Sequence, residues 1–390
     1  MTGFGLDNLP YGAVARPGEE ARPAVRFGDH ALLLDALEET GALAPVGLPA
    51  GTFSGPVLNP FLALGRPAWS AVRARLQDLL ARDAVGDALA PLAGLEPRLP
   101  VAIGDYVDFY SSIHHASNLG RIFRPDTEPL LPNWRHLPVG YHGRASSVVV
   151  SGTPVRRPRG QLPPAEPGGA PRFGPTDQLD IEVELGFITG PGNALGTSIP
   201  AAAAAEHVFG FVLVNDWSAR DIQRWEYQPL GPFLGKSFAT SISPWIVPLE
   251  ALEPFRVPGP QQDPEPLPYL RPEGDWGLDV EFEVELDGTV ISRTNARDLY
   301  WTFPQMLAHA TVNGTNVQPG DLYASGTISG AQPGSHGSML ELTWGGRDPL
   351  LHADGRERAF LHDGDTVVLR GRCGDHISFG EVRGTILPAA

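Results

Sequence analysis

Cysteine is nearly absent. Cys373 is the only one in 390 residues, so no disulfide can form within the chain. That suits a reducing compartment, and a cytoplasmic location is expected. Lysine is equally scarce: of 29 basic residues only Lys236 is a lysine, and the rest are arginine. A coding bias toward arginine accounts for this, and under such a bias a surviving lysine marks a place where a compact point charge is needed and a planar fork is not. Positive charge is outnumbered overall, with a formal net charge of −16. Such a surface repels phosphate backbones at long range, so no nucleic-acid partner is expected. Long apolar runs are missing too. Stretches such as Phe209 to Val214 are far too short to span a bilayer, so no membrane partner is expected. Met1 to Gly12 lacks a basic region followed by an apolar run, so no signal peptide is expected. No strict period appears, which excludes collagen-like and solenoid folds. Strand–helix alternation and a Gly-rich phosphate loop are also missing, which argues against a doubly wound nucleotide fold.

Glycine and proline are plentiful, at 46 and 40 residues, and 42% of the chain is hydrophobic. Many turns and ample core material predict a mainly β protein of strands and loops. Residues 1–97 read as a small domain. In it, Tyr11–Val14 and Ala24–Phe27 are short strands and 67–83 is a helix, with Trp69, Val72, Leu76, Leu79 and Leu80 at helical spacing. Pro91, Pro97 and Pro100 mark a linker. Residues 98–390 form the larger domain, a mixed β-sandwich or roll. Its clearest strands are 147–151, 181–188, 209–215, 279–286 and 366–370; 303–312 is a helix, and 154–177 and 254–275 are Pro/Gly-rich loops.

Two acidic strands stand out. Asp180, Glu182 and Glu184 alternate with apolar residues, so period two places the three carboxylates on one face. Like charges so close need water, protons or a cation. The strand is either a solvated face or a site where Glu182 and Glu184 share a hard cation. Asp279, Glu281, Glu283, Glu285 and Asp287 alternate in the same way and end at a hairpin signal, Asp287-Gly288. This second strand reads as a polar outer face.

Neighbouring segments distinguish the first strand. The apolar run from Gly210 ends in Asn215-Asp216-Trp217-Ser218-Ala219-Arg220-Asp221, which aims an acid from a rigid element. Gly231-Pro232-Phe233-Leu234-Gly235-Lys236 follows and contains the only lysine. Upstream, Asp105 to His115 gathers carboxylates, tyrosines and two histidines within eleven residues. Adjacent histidines point apart and thiolates are lacking, so a zinc site is disfavoured and oxygen ligands point to Mg2+ or Ca2+. One histidine is then free to act as a base.

The stretches from Asp108 to Arg124 and from Leu131-Pro132-Asn133-Trp134 through Tyr141-His142-Gly143-Arg144 resemble the fumarylacetoacetate hydrolase family. So do Asn215 to Gln223, Gly231 to Lys236, Ala324 to Gly330, Gly337 to Leu342 and Phe4 to Gly12. The resemblance runs through almost the whole chain in the right order. It implies an N-terminal SH3-like barrel, a mixed β-sandwich roll catalytic domain and a homodimer. It also implies hydrolysis of a C–C bond in 4-fumarylacetoacetate, a small anionic β-diketo acid, to fumarate and acetoacetate, the last step of tyrosine and phenylalanine catabolism.

Carried over residue by residue, the resemblance implies that Asp108, Glu182, Glu184 and Asp216 hold a divalent metal, Ca2+ or Mg2+. A second ion, held partly by backbone near Lys236 and Thr240, is also implied. His115 is implied as general base and Glu341 as its orienting partner. Arg220, Gln223 and Lys236 are implied as the groups around the developing oxyanion, and Tyr110, Arg124, Tyr141, Gln223, Tyr227 and Thr327 as substrate contacts. His114 receives no role. The chemistry fits, because cleavage beside a ketone needs an electron sink, a base for water and donors for an oxyanion. Two alternatives share part of this pattern: an acylpyruvate hydrolase or 2-keto-acid decarboxylase or hydratase of the same superfamily, and a non-catalytic protein in which metal only staples a β-domain.

Overall fold

Two long apolar strands form the spine of the protein. Val208–Asp216 and Val183–Thr189 are buried along their whole lengths. Their β-branched and aromatic side chains suit strands covered on both faces. They pair antiparallel, from Val183 opposite Asn215 to Thr189 opposite Val208. A 13-stranded sheet grows outward from this pair. On one side Leu322–Ala324 joins Val183–Thr189, Tyr106–Phe109 runs parallel to Leu322–Ala324, and Gly140–His142 forms the edge. On the other side Thr240–Ile242 and Trp245–Pro248 both pair with Val208–Asp216. The structure, a computed structural model, describes residues 3–352 and 355–390.

The same sheet continues into the N-terminal segment. Tyr11–Ala15 lies against Trp245–Pro248, with Tyr11 opposite Ile246 and Gly12 opposite Trp245. Arg22–Phe27, His30–Leu33 and Leu89–Pro91 extend it. The expected helix is Arg66–Ala81, with Pro67 in its first turn and Trp69, Val72, Leu76 and Leu79 buried. The proline-marked stretch is not a free linker. Pro91 ends a short strand, and Pro97 lies within Glu96–Arg98, which pairs with Ala13 to Ala15. Proline is tolerated there because an edge strand need not donate every N–H.

A second, five-stranded sheet contains Glu281–Leu286, Thr289–Asn295, Thr366–Cys373, Ile377–Leu387 and Val155–Arg156. Its apolar residues Phe282, Val284, Leu286, Val367 and Leu369 share one core with Leu185, Phe187, Phe211 and Leu213 of the first sheet. Two face-to-face sheets with parallel and antiparallel pairings make the mixed, mainly β architecture that the sequence predicts. The acids of Glu281–Leu286 face outward among arginines. Glu281 lies opposite Arg372 and Glu283 opposite Arg370. Ion pairs of 2.7–2.8 Å join Glu285 to Arg370, Glu283 to Arg293 and Glu281 to Arg372. Cross-strand pairs of opposite charge are a normal way to finish a solvated sheet face.

Segment 154–177 is more ordered than a loop. Arg159–Leu162 and Arg172–Pro175 form a hairpin. Its Leu162 packs on Ala219 and Ile222, behind the helix Arg220–Glu226.

Gly12 marks the closest approach of the N-terminal strand to the larger sheet. A Cβ there would lie 2.7 Å from the Pro244 carbonyl and 2.5 Å from the Trp245 ring. Gly12→Ala is expected to destabilise the protein by about 1–3 kcal/mol through overpacking. Gly5→Ala, which meets nothing within 4 Å, serves as the control. Equal urea midpoints for the two variants would refute this account of the junction.

Candidate active site

Four strand ends converge on one point. Asp108 lies on Tyr106–Phe109, opposite Ala324 and Tyr141. Glu184 is the second residue of Val183–Thr189, and Asp216 ends Val208–Asp216. Glu182 immediately precedes its strand, with its N–H held by the Asn215 side-chain oxygen at 3.2 Å. All four residues are buried, and one carboxylate oxygen of each lies within 4.8 Å of the others. Asp180 does not join them, contrary to the expectation of one shared acidic face. It belongs to a separate two-residue strand, Leu179–Asp180, paired with Ser218–Ala219. The chain leaves the ladder at 181–182, so period two does not carry across.

Charge in this cage is only partly balanced. Lys236 Nζ donates to Asp216 Oδ2 at 2.9 Å and to Glu182 Oε2. Arg220 Nη1 pairs with Glu182 Oε1 at 2.6 Å. Burial alone would raise the Glu182 carboxyl, but Lys236 and Arg220 hold it well below its usual range. The Lys236 ammonium is held above its usual value by Asp216 and Glu182, which overcome its burial. Asp108 and Glu184 have no such support. Burial, then the charges of Asp216 on Asp108 and of Asp108 on Glu184, push both carboxyls well above the carboxylate range. Among the described residues, Asp108 Oδ1 and both Glu184 oxygens have no hydrogen-bond partner. Buried carboxylate oxygens left without donors are the expected state of ligands to a hard cation. The donor set, all oxygen and net anionic, therefore fits a divalent metal.

Beside the cage stands a histidine–carboxylate pair. Ile113–Phe123 is a helix, capped by Ser112 accepting the His115 N–H. It turns His115 inward, where Nδ1 meets Glu341 Oε2 at 2.7 Å. Glu341 lies on Met339–Leu342 and accepts further hydrogen bonds from Asn118, Ser329 and Ser338 at 2.8–2.9 Å. Burial opposes its charge, but the charge and hydrogen bond of His115 and the hydrogen bond of Asn118 bring its carboxyl down to about 2. It is therefore ionised and fixes the proton of His115 on Nδ1. The Tyr110 ring meets the His115 ring edge-on at 5.3 Å. Burial and the Glu341 charge push the Tyr110 hydroxyl up, so it stays a neutral donor.

The remaining expected residues divide into two groups. Tyr141 donates to Asp216 Oδ2 at 3.0 Å, and Thr240 donates to Asp216 Oδ1 at 2.6 Å. Gln223 Oε1 accepts from Arg220 Nη1 at 3.1 Å. Thr327 is buried, and its hydroxyl has no partner among the described residues. Arg124 and Tyr227 are half-buried and stand apart from the cage. Arg124 donates to the Pro129 carbonyl, and the Tyr227 hydroxyl accepts from Gln228. A cavity of about 340 Å³ opens beside Tyr141, Asp216, Lys236 and Thr240. His114, without an assigned role, faces a different cavity with Arg293 and Arg370.

The sequence pattern gives no role to Asn118, Ser329 or Ser338 and puts Asp180 on the face of Glu182 and Glu184, which it does not share. One signal was available: Ser338-Met339-Leu340-Glu341 has helix-capping spacing, and the Ser338 hydroxyl accepts the Glu341 N–H. The loop before Lys236 is fastened by Glu226 Oε1, which accepts the N–H groups of Phe233 and Gly235.

A two-sheet β roll with a buried acidic cage beside an oriented histidine defines a class of metal-carboxylate site. Comparison with known proteins makes the class specific. The family described as fumarylacetoacetate hydrolase C-terminal matches residues 106–387, and fumarylacetoacetase N-terminal matches residues 7–100. A fumarylacetoacetase of Bos taurus is 50% identical over 99% of this chain and 96% of its own length. Those of Homo sapiens and Arabidopsis thaliana are each 49% identical over 99% of this chain and 96% of theirs. Solved structures share the fold at lower identity. A fumarylacetoacetate hydrolase from Exiguobacterium antarcticum has a TM-score of 0.54 at 17% identity, covering 97% of this chain and 99% of that one. A maleylpyruvate hydrolase from a Sphingobium species, in complex with manganese(II) and pyruvate, has a TM-score of 0.52 at 16% identity, covering 98% and 99%. The chain belongs to the fumarylacetoacetate hydrolase family.

The electrostatics give a sign for metal-free stability. Asp108 and Glu184 bind a proton more tightly folded than unfolded, so the folded chain holds more protons than the unfolded one near neutrality. Their contribution therefore falls as pH rises above the ordinary carboxylate range toward their raised values. In chelator, melting temperature should drop between pH 5 and pH 7, and Glu184→Gln should flatten that drop. A divalent ion at about 100 times its Kd should add ~2.7 kcal/mol to wild type, and less to the variant at the same concentration. Identical pH profiles and metal responses would show that the carboxylates do not form one site.

Proposed function

We propose that the chain hydrolyses the C–C bond of 4-fumarylacetoacetate, giving fumarate and acetoacetate. One observation carries this reading: the cage with donor-free carboxylate oxygens stands beside the His115–Glu341 pair. The relatives named above support the same reading, because fumarylacetoacetases resemble this chain over nearly its whole length.

Residue chemistry follows from the contacts. With its proton on Nδ1, His115 leaves Nε2 to take a proton from the water that attacks the substrate carbonyl. The new oxyanion is met by Arg220, whose buried Nη2 has no partner among the described residues, together with Gln223 and Lys236. One such donor is worth about 3 kcal/mol in the transition state. A divalent ion held by Asp108, Glu182, Glu184 and Asp216 would supply Lewis-acid stabilisation of charge on the β-diketone. As the C–C bond breaks, its electron pair passes into the adjacent ketone as an enolate, and protonated His115 can return the proton to carbon. Tyr110, Tyr141 and Thr327 orient the substrate, and Arg124 and Tyr227 receive its distal carboxylate.

Ca2+ or Mg2+ is favoured by the all-oxygen cage, and a second ion near Lys236 and Thr240 by the polar cavity there. A homodimer is supported by Leu230, Phe233 and Leu234, three large apolar side chains left exposed within one short loop. The lone buried thiol supports a cytoplasmic location. Division at 97/98 into an SH3-like barrel and a catalytic roll is supported by the two family matches, over residues 7–100 and 106–387, with one sheet running through both parts.

Purified protein with Mg2+ or Ca2+ is expected to convert fumarylacetoacetate to fumarate and acetoacetate, followed by NMR. Turnover of acylpyruvates alone would replace this reading with the related hydrolase. His115→Ala should fold and lose about a hundredfold to ten-thousandfold in kcat. A fully active His115→Ala protein would remove His115 as the base, whereas a protein without turnover that unfolds on chelation would support a structural metal.

A further inference from the structure

Asp180 lies outside the metal cage and outside the His115 pair, yet it touches the supports of both. It is wholly buried. Its Oδ2 accepts Arg220 Nε at 2.8 Å and the Leu340 N–H at 3.0 Å. Its Oδ1 accepts the N–H groups of Met339 and Ile181, both at 2.7 Å. Four donors thus use the whole carboxylate. Arg220 in turn pairs through Nη1 with Glu182, a cage residue. Met339 and Leu340 immediately precede Glu341, which orients His115.

We propose that Asp180 is the positioning residue that sets the His115–Glu341 pair against the metal cage and aims the free Nη2 of Arg220 between them. This rests on the reaction proposed above, but the linkage itself is independent of substrate. No other contact described for these residues joins the Arg220 fork directly to the backbone that carries Glu341. Burial makes the link stiff, because water cannot replace a lost partner.

Asp180→Asn is the test. An amide has one accepting oxygen and one NH2. Whichever way it turns, the NH2 faces either the Met339 or the Leu340 N–H, and one of the two bonds is lost. With metal saturating, kcat should fall about tenfold to a hundredfold, with KM changing far less, as for other supports of liganding groups. Two readouts do not involve substrate. The downfield NMR resonance of the His115 Nδ1 proton should shift or broaden, and Mg2+ affinity by calorimetry should weaken. A folded variant with wild-type kcat, or one with lowered kcat and both readouts unmoved, would overturn the proposal. If the reaction assignment alone is wrong, the resonance and the affinity still move. If Asp180→Asn does not fold, the neutral pair Asp180→Asn/Arg220→Gln is compared with Arg220→Gln. The single variant keeps the carboxylate on Met339 and Leu340 and should leave the His115 resonance in place, whereas the pair should displace it. An equal resonance in both would also refute the link.

Discussion

Four carboxylates forced into one dry pocket are the constraint on which the rest depends. Each would be easily solvated at a surface. Together and buried they repel, and charge without partners in a low-dielectric interior is costly. The fold answers with two cations that share Glu182. Lys236 meets Asp216 and Glu182, and Arg220 meets Glu182. Two acids, Asp108 and Glu184, are left over. The imbalance is small enough to fold and large enough to hold a divalent ion.

Rigidity makes this tolerable. The cage residues come from the ends of strands at the centre of the largest sheet, and His115 comes from a capped helix docked beside them. Helix ends and one turn supply the rest: Arg124 and Tyr227 close their helices at half-buried positions, and buried Lys236 follows a Gly/Pro turn. Gly326 shows how close the parts lie, since a Cβ there would stand 2.1 Å from the Phe109 carbonyl. Only a glycine lets the strand end before Thr327 approach the Phe109–Tyr110 backbone this closely.

Much of this was legible in the sequence, but unevenly. Alternation picked out Glu182 and Glu184, and the apolar run to Asp216 marked the spine strand. Alternation also picked out Glu281, Glu283 and Glu285, whose carboxylates are satisfied by Arg293, Arg370 and Arg372. Nothing local separates these two strands. The difference is what lies across the sheet, which is a tertiary fact. Asp180 was misplaced for the same reason, since two residues off the ladder reset its direction. The helix carrying His115 is hard to read from periodicity because its buried face mixes Ala116 and Leu119 with His115 and Asn118, which bind Glu341 far away in sequence. The strands at Pro91 and Pro97 were hidden because proline reads as a break unless the edge is known. Domain limits and residue roles drew on family resemblance more than on local pattern.

The single lysine has a consequence beyond the site. Lys236 is 5% exposed, so the described surface carries no lysine amine. Every basic side chain there, histidine apart, is a guanidinium, which stays charged far into alkali. Between neutrality and strongly basic pH the exterior therefore has no lysine charge to lose, and its cation–carboxylate ladder persists where lysine-rich surfaces would lose theirs. Amine-directed labels and crosslinkers would likewise find no side-chain target on the native exterior, and new lysine reactivity would report that the cage around Lys236 had opened.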